Sequence, residues 1–260
     1  MPNMMMGKEG NPRNIGKHTG KRIIPGRSHS LFVYLVCFVI VKKPLGVGVG
    51  IGIEIQGSDK PTMQISYELD GALYLNLTNA CPNRCVFCVR NSAPGVGGYN
   101  LWLDREPTLA EIMDSMDDPR RYREIVFCGY GEPTCRLDIL TAVAREMRKY
   151  DPPKRLNTNG LGNLINGRNI LPDLAGLLDT VSISLNAPNA AEYSRLCRPR
   201  FGEAAYPAVL DFIREAKKYL PCVVVSIVPV PGVDVEACRK LAAEMDVAFR
   251  VRHIISEADS

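Results

Sequence analysis

From Met63 onward the chain alternates short apolar runs with helical segments, and this alternation limits the possible folds more than any other feature. Strands are predicted over 71–78, 124–128, 155–158, 180–185, 222–228 and 247–254. Helices are predicted from 108 to about 117 and over 136–150, 171–178, 206–219 and 235–245. Thr108 and Glu111 have the spacing of a capping box, and Pro172 suits a first helical turn. Strands that alternate with helices pair in parallel, with the helices as crossovers. The fold class is therefore α/β. Six such units fall short of the roughly eight that close a barrel, so the expected architecture is a partial (β/α)6 TIM-like barrel.

Five of the strands end in polar or glycine-rich residues. These are the cysteines after the first strand, Gly129–Thr134 after the second, Thr158-Asn159-Gly160 after the third, Asn186 after the fourth and Pro229–Gly232 after the fifth. In parallel α/β folds ligands bind along this edge. The first of these segments is the most specific. Cys81, Cys85 and Cys88 form a C-x3-C-x2-C loop, with Phe87 before the last cysteine. Thiols crowded in this way suit a soft metal centre: an iron–sulfur cluster, zinc or a cuprous ion. A closed structural site takes about four protein ligands, and this loop offers three. A zinc site completed by Cys128 or Cys135 is the alternative to a cluster. A cluster with three thiolates leaves one iron open to a further ligand.

Composition narrows the function classes. The chain has nine cysteines, an odd number for a disulfide framework in a protein of 260 residues. Closely spaced thiols point to a reducing compartment, hence a cytoplasmic location. Residues 1–62 hold nine Lys/Arg against three acids, a net +6 of the total +4, which leaves −2 for 63–260. A body of that charge is not built to track nucleic-acid phosphates. The apolar run 31–41 is shorter than the ~20 residues that span a bilayer, and 46–55 alternates glycine with branched residues. Residues 1–62 therefore read as an extension, disordered or not native, with 63–260 as the core domain. A membrane-associated hairpin is the other reading of that segment. His253 is the only histidine after residue 62, which argues against a histidine-based hydrolytic triad. No phosphate-binding Walker sequence is present.

The cysteine spacing, with Phe87 inside it, resembles the signature of the radical SAM superfamily, and the likeness extends over 63–254. The resemblance implies a [4Fe-4S] cluster on Cys81, Cys85 and Cys88 and S-adenosyl-L-methionine chelated at the remaining iron. It also implies reductive cleavage to a 5′-deoxyadenosyl radical that abstracts hydrogen from a substrate. Gly129-Tyr130-Gly131-Glu132-Pro133 resembles the family's GGEP segment, with Tyr130 between the two glycines. On that basis Gly129, Gly131, Glu132 and Pro133 are cofactor candidates, Glu132 as an anion near the methionine ammonium. Thr158, Asn159, Ser184 and Asn186 are candidates for the ribose or carboxylate, Arg195 for the carboxylate and Val228 for adenine. Turn formation and helix capping are the bland alternative for the Thr, Ser and Asn positions. Solvation is the alternative for Arg195, and core packing for Val228. Cys222 and Cys238 read as small core residues.

Three phrases, 73–79, 85–91 and 193–199, resemble the TatD-associated radical SAM proteins, which occur beside or fused to TatD-type nucleases. That resemblance implies such a nuclease as a partner and a flavodoxin or ferredoxin as reductant. The compact core is also similar to that of glycyl-radical activating enzymes, which act on a protein partner. A non-catalytic iron–sulfur or zinc module, or an electron-transfer protein, is the alternative outside enzyme chemistry.

Overall fold

A computed structural model of the chain describes residues 63–91 and 95–252. The extension read over 1–62, and His253 with the last residues assigned to the final strand, lie outside the described residues. The backbone begins with a hairpin, β1 (Ser66–Leu69) and β2 (Ala72–Leu75), paired antiparallel. Asp70 and Gly71 turn it with φ of 51° and 70°, the left-handed geometry that a two-residue hairpin loop requires. Parallel strands follow: β3 (Ile125–Phe127), β4 (Lys154–Thr158), β5 (Thr180–Ser184), β6 (Cys222–Ile227) and β7 (Ala248–Val251). The sheet order is sequential from β1 to β7, and every pair after the first is parallel. The six predicted strands are β2–β7, so the α/β partial barrel is as expected. The added strand is β1, and its Asp-Gly turn was the available signal.

The crossovers are α1 (Leu109–Asp114), α2 (Leu137–Met147), α3 (Gly162–Asn166), α4 (Leu171–Leu174), α5 (Ala190–Cys197), α6 (Ala205–Tyr219) and α7 (Val235–Glu244). The capping box at Thr108 and Glu111 forms as predicted. Two helical predictions need correction. The helix over 171–178 is a single turn, and Gly176 in the left-handed region (φ 69°) follows it. Between the fourth strand and the helix predicted from 206, where no helix was expected, lies α5. Asn189 caps it by accepting from the Glu192 amide at 3.0 Å, which offsets the weak apolar signal of its exposed face.

Side chains alternate along each strand, so every strand serves two faces. Leu73, Leu75, Ile125, Phe127, Leu156, Val181, Ile183, Val223 and Val225 are buried in the main core. That core also takes Leu140, Val143, Ala144 and Met147 of α2 and Val209, Phe212, Ile213 and Ala216 of α6, at spacings of three and four. Each fully buried side chain of this size contributes on the order of 1.5–3 kcal/mol. The intervening residues, among them Tyr74, Arg155, Asn157, Ser182, Ser184 and Ser226, face the other way, into the barrel interior. The register of the sheet follows from burying one face and leaving the other polar.

Candidate active site

The cysteine loop begins where β2 ends, and three neighbours hold it. The C-terminal turn of α5 accepts two of its amides: Arg84 N–H donates to the Cys197 carbonyl at 3.0 Å and Val86 N–H to Leu196 at 2.9 Å. Arg200 N–H donates back to the Pro82 carbonyl at 2.8 Å. Inside the loop, Asn83 Nδ2 donates to the Tyr193 hydroxyl at 3.2 Å. Arg90 donates to the carbonyls of Asn79 and Asn83 and places Nε 3.4 Å from Cys88 Sγ. From the far side, Asn159 Nδ2 lies 3.9 Å from Cys81 Sγ. Cys81, Cys85 and Cys88 are each partly exposed.

A donor set of three thiols suits a soft metal centre such as an iron–sulfur cluster. No three Cys, His, Asp or Glu side chains among the described residues gather as they would round one metal. N–H groups directed at two of the sulfurs suit a thiolate-bound centre. Burial, then the Glu132 carboxylate, pushes the Cys81 thiol up to about 11. The Cys85 thiol is also raised, first by a hydrogen bond with Cys197 and then by burial.

Gly129–Pro133 packs directly on this loop. A Cβ on Gly131 would lie 2.2 Å from the Thr78 carbonyl oxygen and 2.7 Å from that of Ala80. One on Gly129 would lie 1.9 Å from Asn76 Oδ1. Glycine is thus required at 131 for backbone to meet backbone, and at 129 for the Asn76 side chain to lie against it. Tyr130, between them, is buried with Tyr67 and Leu101 and meets Trp102 edge-on at 5.2 Å. It anchors the 95–103 segment. Asn79 straps the same segment by pairing with both the N–H and the carbonyl of Leu103, and Asn76 does so through the Leu101 carbonyl at 2.7 Å.

Glu132 is 3% exposed. Its Oε1 accepts from the Thr134 amide (3.1 Å), the Thr134 hydroxyl (2.7 Å) and the Thr158 hydroxyl (2.8 Å), and its Oε2 from the Asn159 amide (2.7 Å). Four donors fill the usual capacity of a carboxylate. Burial raises its pKa and these bonds lower it, burial being the larger effect. Glu132 therefore joins the end of β3 to the end of β4 and sets Asn159 beside Cys81. Pro133 opens the buried 3-10 turn that follows.

The remaining candidates spread along the same edge. Asn186, in the left-handed region (φ 59°), places Nδ2 3.7 Å from Cys197 Sγ. Ser184 is half-buried at the end of β5, and Val228 half-buried after β6. Phe87 packs on the main core with one side exposed. Arg195 is exposed on α5, beside Gly232. Cys128 is half-buried and raised by burial, and Cys238 is buried as predicted. Cys222, expected in the core, is exposed at the start of β6.

Sequence reading missed Arg252. Its Nη2 donates to Ser184 Oγ at 3.1 Å and to Asn186 Oδ1 at 3.2 Å. Alternation along the last strand, with Arg250 and Arg252 at period two, was the signal that could have found it.

The radical SAM superfamily model matches residues 75–245, most of the described chain. The chain belongs to the radical SAM superfamily. Its members are enzymes that use a [4Fe-4S] cluster and S-adenosylmethionine, consistent with the thiol loop. No curated protein matches the chain in sequence. Among solved structures, "Native anSMEcpe with bound AdoMet" is 17% identical with a TM-score of 0.50, covering 70% of this chain and 51% of its own. Streptococcus suis SuiB bound to precursor peptide SuiA is 13% identical with a TM-score of 0.51, covering 71% of this chain and 39% of its own. At these identities the likeness is one of fold. The chain spans about half or less of the length of these two structures. No helix among the described residues is long and apolar enough to cross a membrane.

Proposed function

We propose that the protein is a radical SAM enzyme that cleaves S-adenosylmethionine reductively and abstracts a hydrogen atom from a substrate. The observation that carries this is the loop of three part-exposed thiols, braced by α5 and by Gly129–Pro133, at the ligand-binding edge of a parallel sheet. Cys81, Cys85 and Cys88 would hold the [4Fe-4S] cluster. When bound and reduced, it supplies the electron that splits the sulfonium C–S bond. The chain's own residues bind and orient. Arg90 and Asn159 direct N–H groups at the sulfurs of Cys88 and Cys81, as suits thiols that ligate a centre. Asn159, Ser184 and Asn186 offer short polar groups to S-adenosylmethionine along one edge, with Phe87, Val228 and Arg195 at its margin. Gly129, Gly131, Glu132, Pro133 and Thr158 serve the same site by holding the turn on which Asn159 depends.

Within the superfamily we place the chain with the TatD-associated proteins. Support comes from the phrases 73–79, 85–91 and 193–199. A TatD-type nuclease and a flavodoxin or ferredoxin are the proposed partners, in the cytoplasm, and co-purification with each tests the assignment. The central test is anaerobic reconstitution followed by dithionite and S-adenosylmethionine, with chromatographic assay of 5′-deoxyadenosine. A full cluster with no 5′-deoxyadenosine would overturn the proposal.

A further inference from the structure

The interior of the barrel, beneath the thiol loop, is furnished with polar side chains. Such interiors are ordinarily filled by layers of branched apolar residues. Ser184, Ser226 and Arg250 are register partners across β5, β6 and β7, so their side chains leave the sheet on one face. Asn157 and Ser182, partners across β4 and β5, form part of the row beneath. Ser182 and Ser226 are 4% and 1% exposed. Arg252 follows Arg250 by two residues on the same face. It reaches Ser184 and Asn186 through Nη2, while its Nε is buried with no partner among the described residues.

Among the described residues neither Arg250 nor Arg252 has a carboxylate partner of its own. Glu124 is taken by Arg155, which donates to both carboxylate oxygens at 2.9 and 2.8 Å. The groups that face Arg252 are the thiols of Cys128, Cys85 and Cys197 and the guanidinium of Arg250. Those that face Arg250 are Arg155, the already paired Glu124, Tyr74 and Cys222. Arg252 is half-buried, and its Nε, shut from solvent, has no acceptor among the described residues, which is costly unless something anionic joins it; Arg250, exposed on the same face, adds a second positive charge.

We propose that this interior seats an anionic oxygen group of the substrate, a carboxylate or a phosphate ester, between Arg250 and Arg252 with the Ser226 hydroxyl. The proposal rests on the radical-enzyme reading, because it names the substrate class for that site. Arg252 holds Asn186, which reaches Cys197, whose carbonyl accepts from Arg84 of the thiol loop, so a substrate held there lies close to that loop. The carboxylate of S-adenosylmethionine has the same chemistry, and the test separates the two sources.

Inorganic phosphate and succinate are titrated calorimetrically into the oxidised, cluster-loaded protein, with and without saturating S-adenosylmethionine. At least one anion is expected to bind in the presence of S-adenosylmethionine, and which one does distinguishes phosphate from carboxylate. Arg250→Met and Arg252→Met should each weaken that binding at least tenfold, and Arg252→Lys by less. Circular dichroism checks folding, and Arg250→Lys with Arg252→Lys serves if a methionine variant fails to fold. Binding of neither anion, binding indifferent to the variants, or binding abolished by S-adenosylmethionine would overturn the proposal; the last outcome would give the seat to the cofactor. 5′-Deoxyadenosine is assayed on the same wild-type preparation. Its absence with anion binding intact counts against the enzyme reading, and its presence without anion binding counts against the seat alone.

Discussion

Replacing Glu132 should separate its structural work from any direct contact with a cofactor. In Glu132→Ala four donors lose their acceptor at once. The two hydroxyls can turn elsewhere, but the Thr134 and Asn159 amides are fixed by the backbone. An orphaned buried donor costs roughly 1–3 kcal/mol, so two cost about 2–6 kcal/mol. Removing a carboxylate whose charge is opposed by burial offsets part of this, leaving about 3 kcal/mol. With a urea slope of about 2 kcal/mol/M, the unfolding midpoint of the cluster-free chain should fall by about 1.5 M. Glu132→Gln keeps an oxygen for the three donors at Oε1 but turns an NH2 toward the Asn159 amide. It should lose about half as much. Iron retained after reconstitution should fall in the same order, because Asn159 is released from Cys81. Equal midpoints for wild type and both variants, within about 0.3 kcal/mol by the same slope, would refute the brace. A loss of S-adenosylmethionine binding with full stability and full iron would point instead to direct contact.

Other outcomes follow from the same geometry. Cys88→Ala should retain the fold and lose the visible absorption and bound iron of the reconstituted protein; a full cluster in that variant would undo the ligand assignment. Gly131→Ala must push apart two backbone segments and should cost at least about 2 kcal/mol, read by thermal unfolding; a neutral result would mean the turn is looser than described. Arg155→Met strands Glu124 without its partner and should cost about 3 kcal/mol, with Glu124→Gln added to it restoring part of the loss in a double-mutant cycle. Trp102, the only tryptophan, lies 5.9 Å from Arg90, which in turn touches Cys88. Its fluorescence should drop when the cluster is assembled, and Tyr130→Leu should shift its emission to the red as the 95–103 segment loosens.

Much of the fold was legible because its signals are local. Six strands and the main helices follow from apolar runs and caps, and the thiol ligands from spacing within eight residues. The misses have physical causes. β1 pairs antiparallel through an Asp-Gly turn that had been read only as the start of a strand. The helix α5 is short and amphipathic, and it is held partly by docking the thiol loop on its last turn. Tyr130 looked like an interruption between two glycines until its packing on Tyr67, Leu101 and Trp102 was seen.

The amino-acid sequence alone determined the α/β alternation, the three-thiol loop and the polar strand ends, because each depends on residues a few positions apart in the chain. Tertiary structure alone decided that Glu132 holds Asn159 against Cys81, that Asn76 and Asn79 strap the 95–103 segment, and that Ser184, Ser226 and Arg250 stand in one row. Those pairings depend on register, and register is set when the apolar face of the whole sheet is buried against its helices. No local spacing specifies which residues then meet on the opposite face.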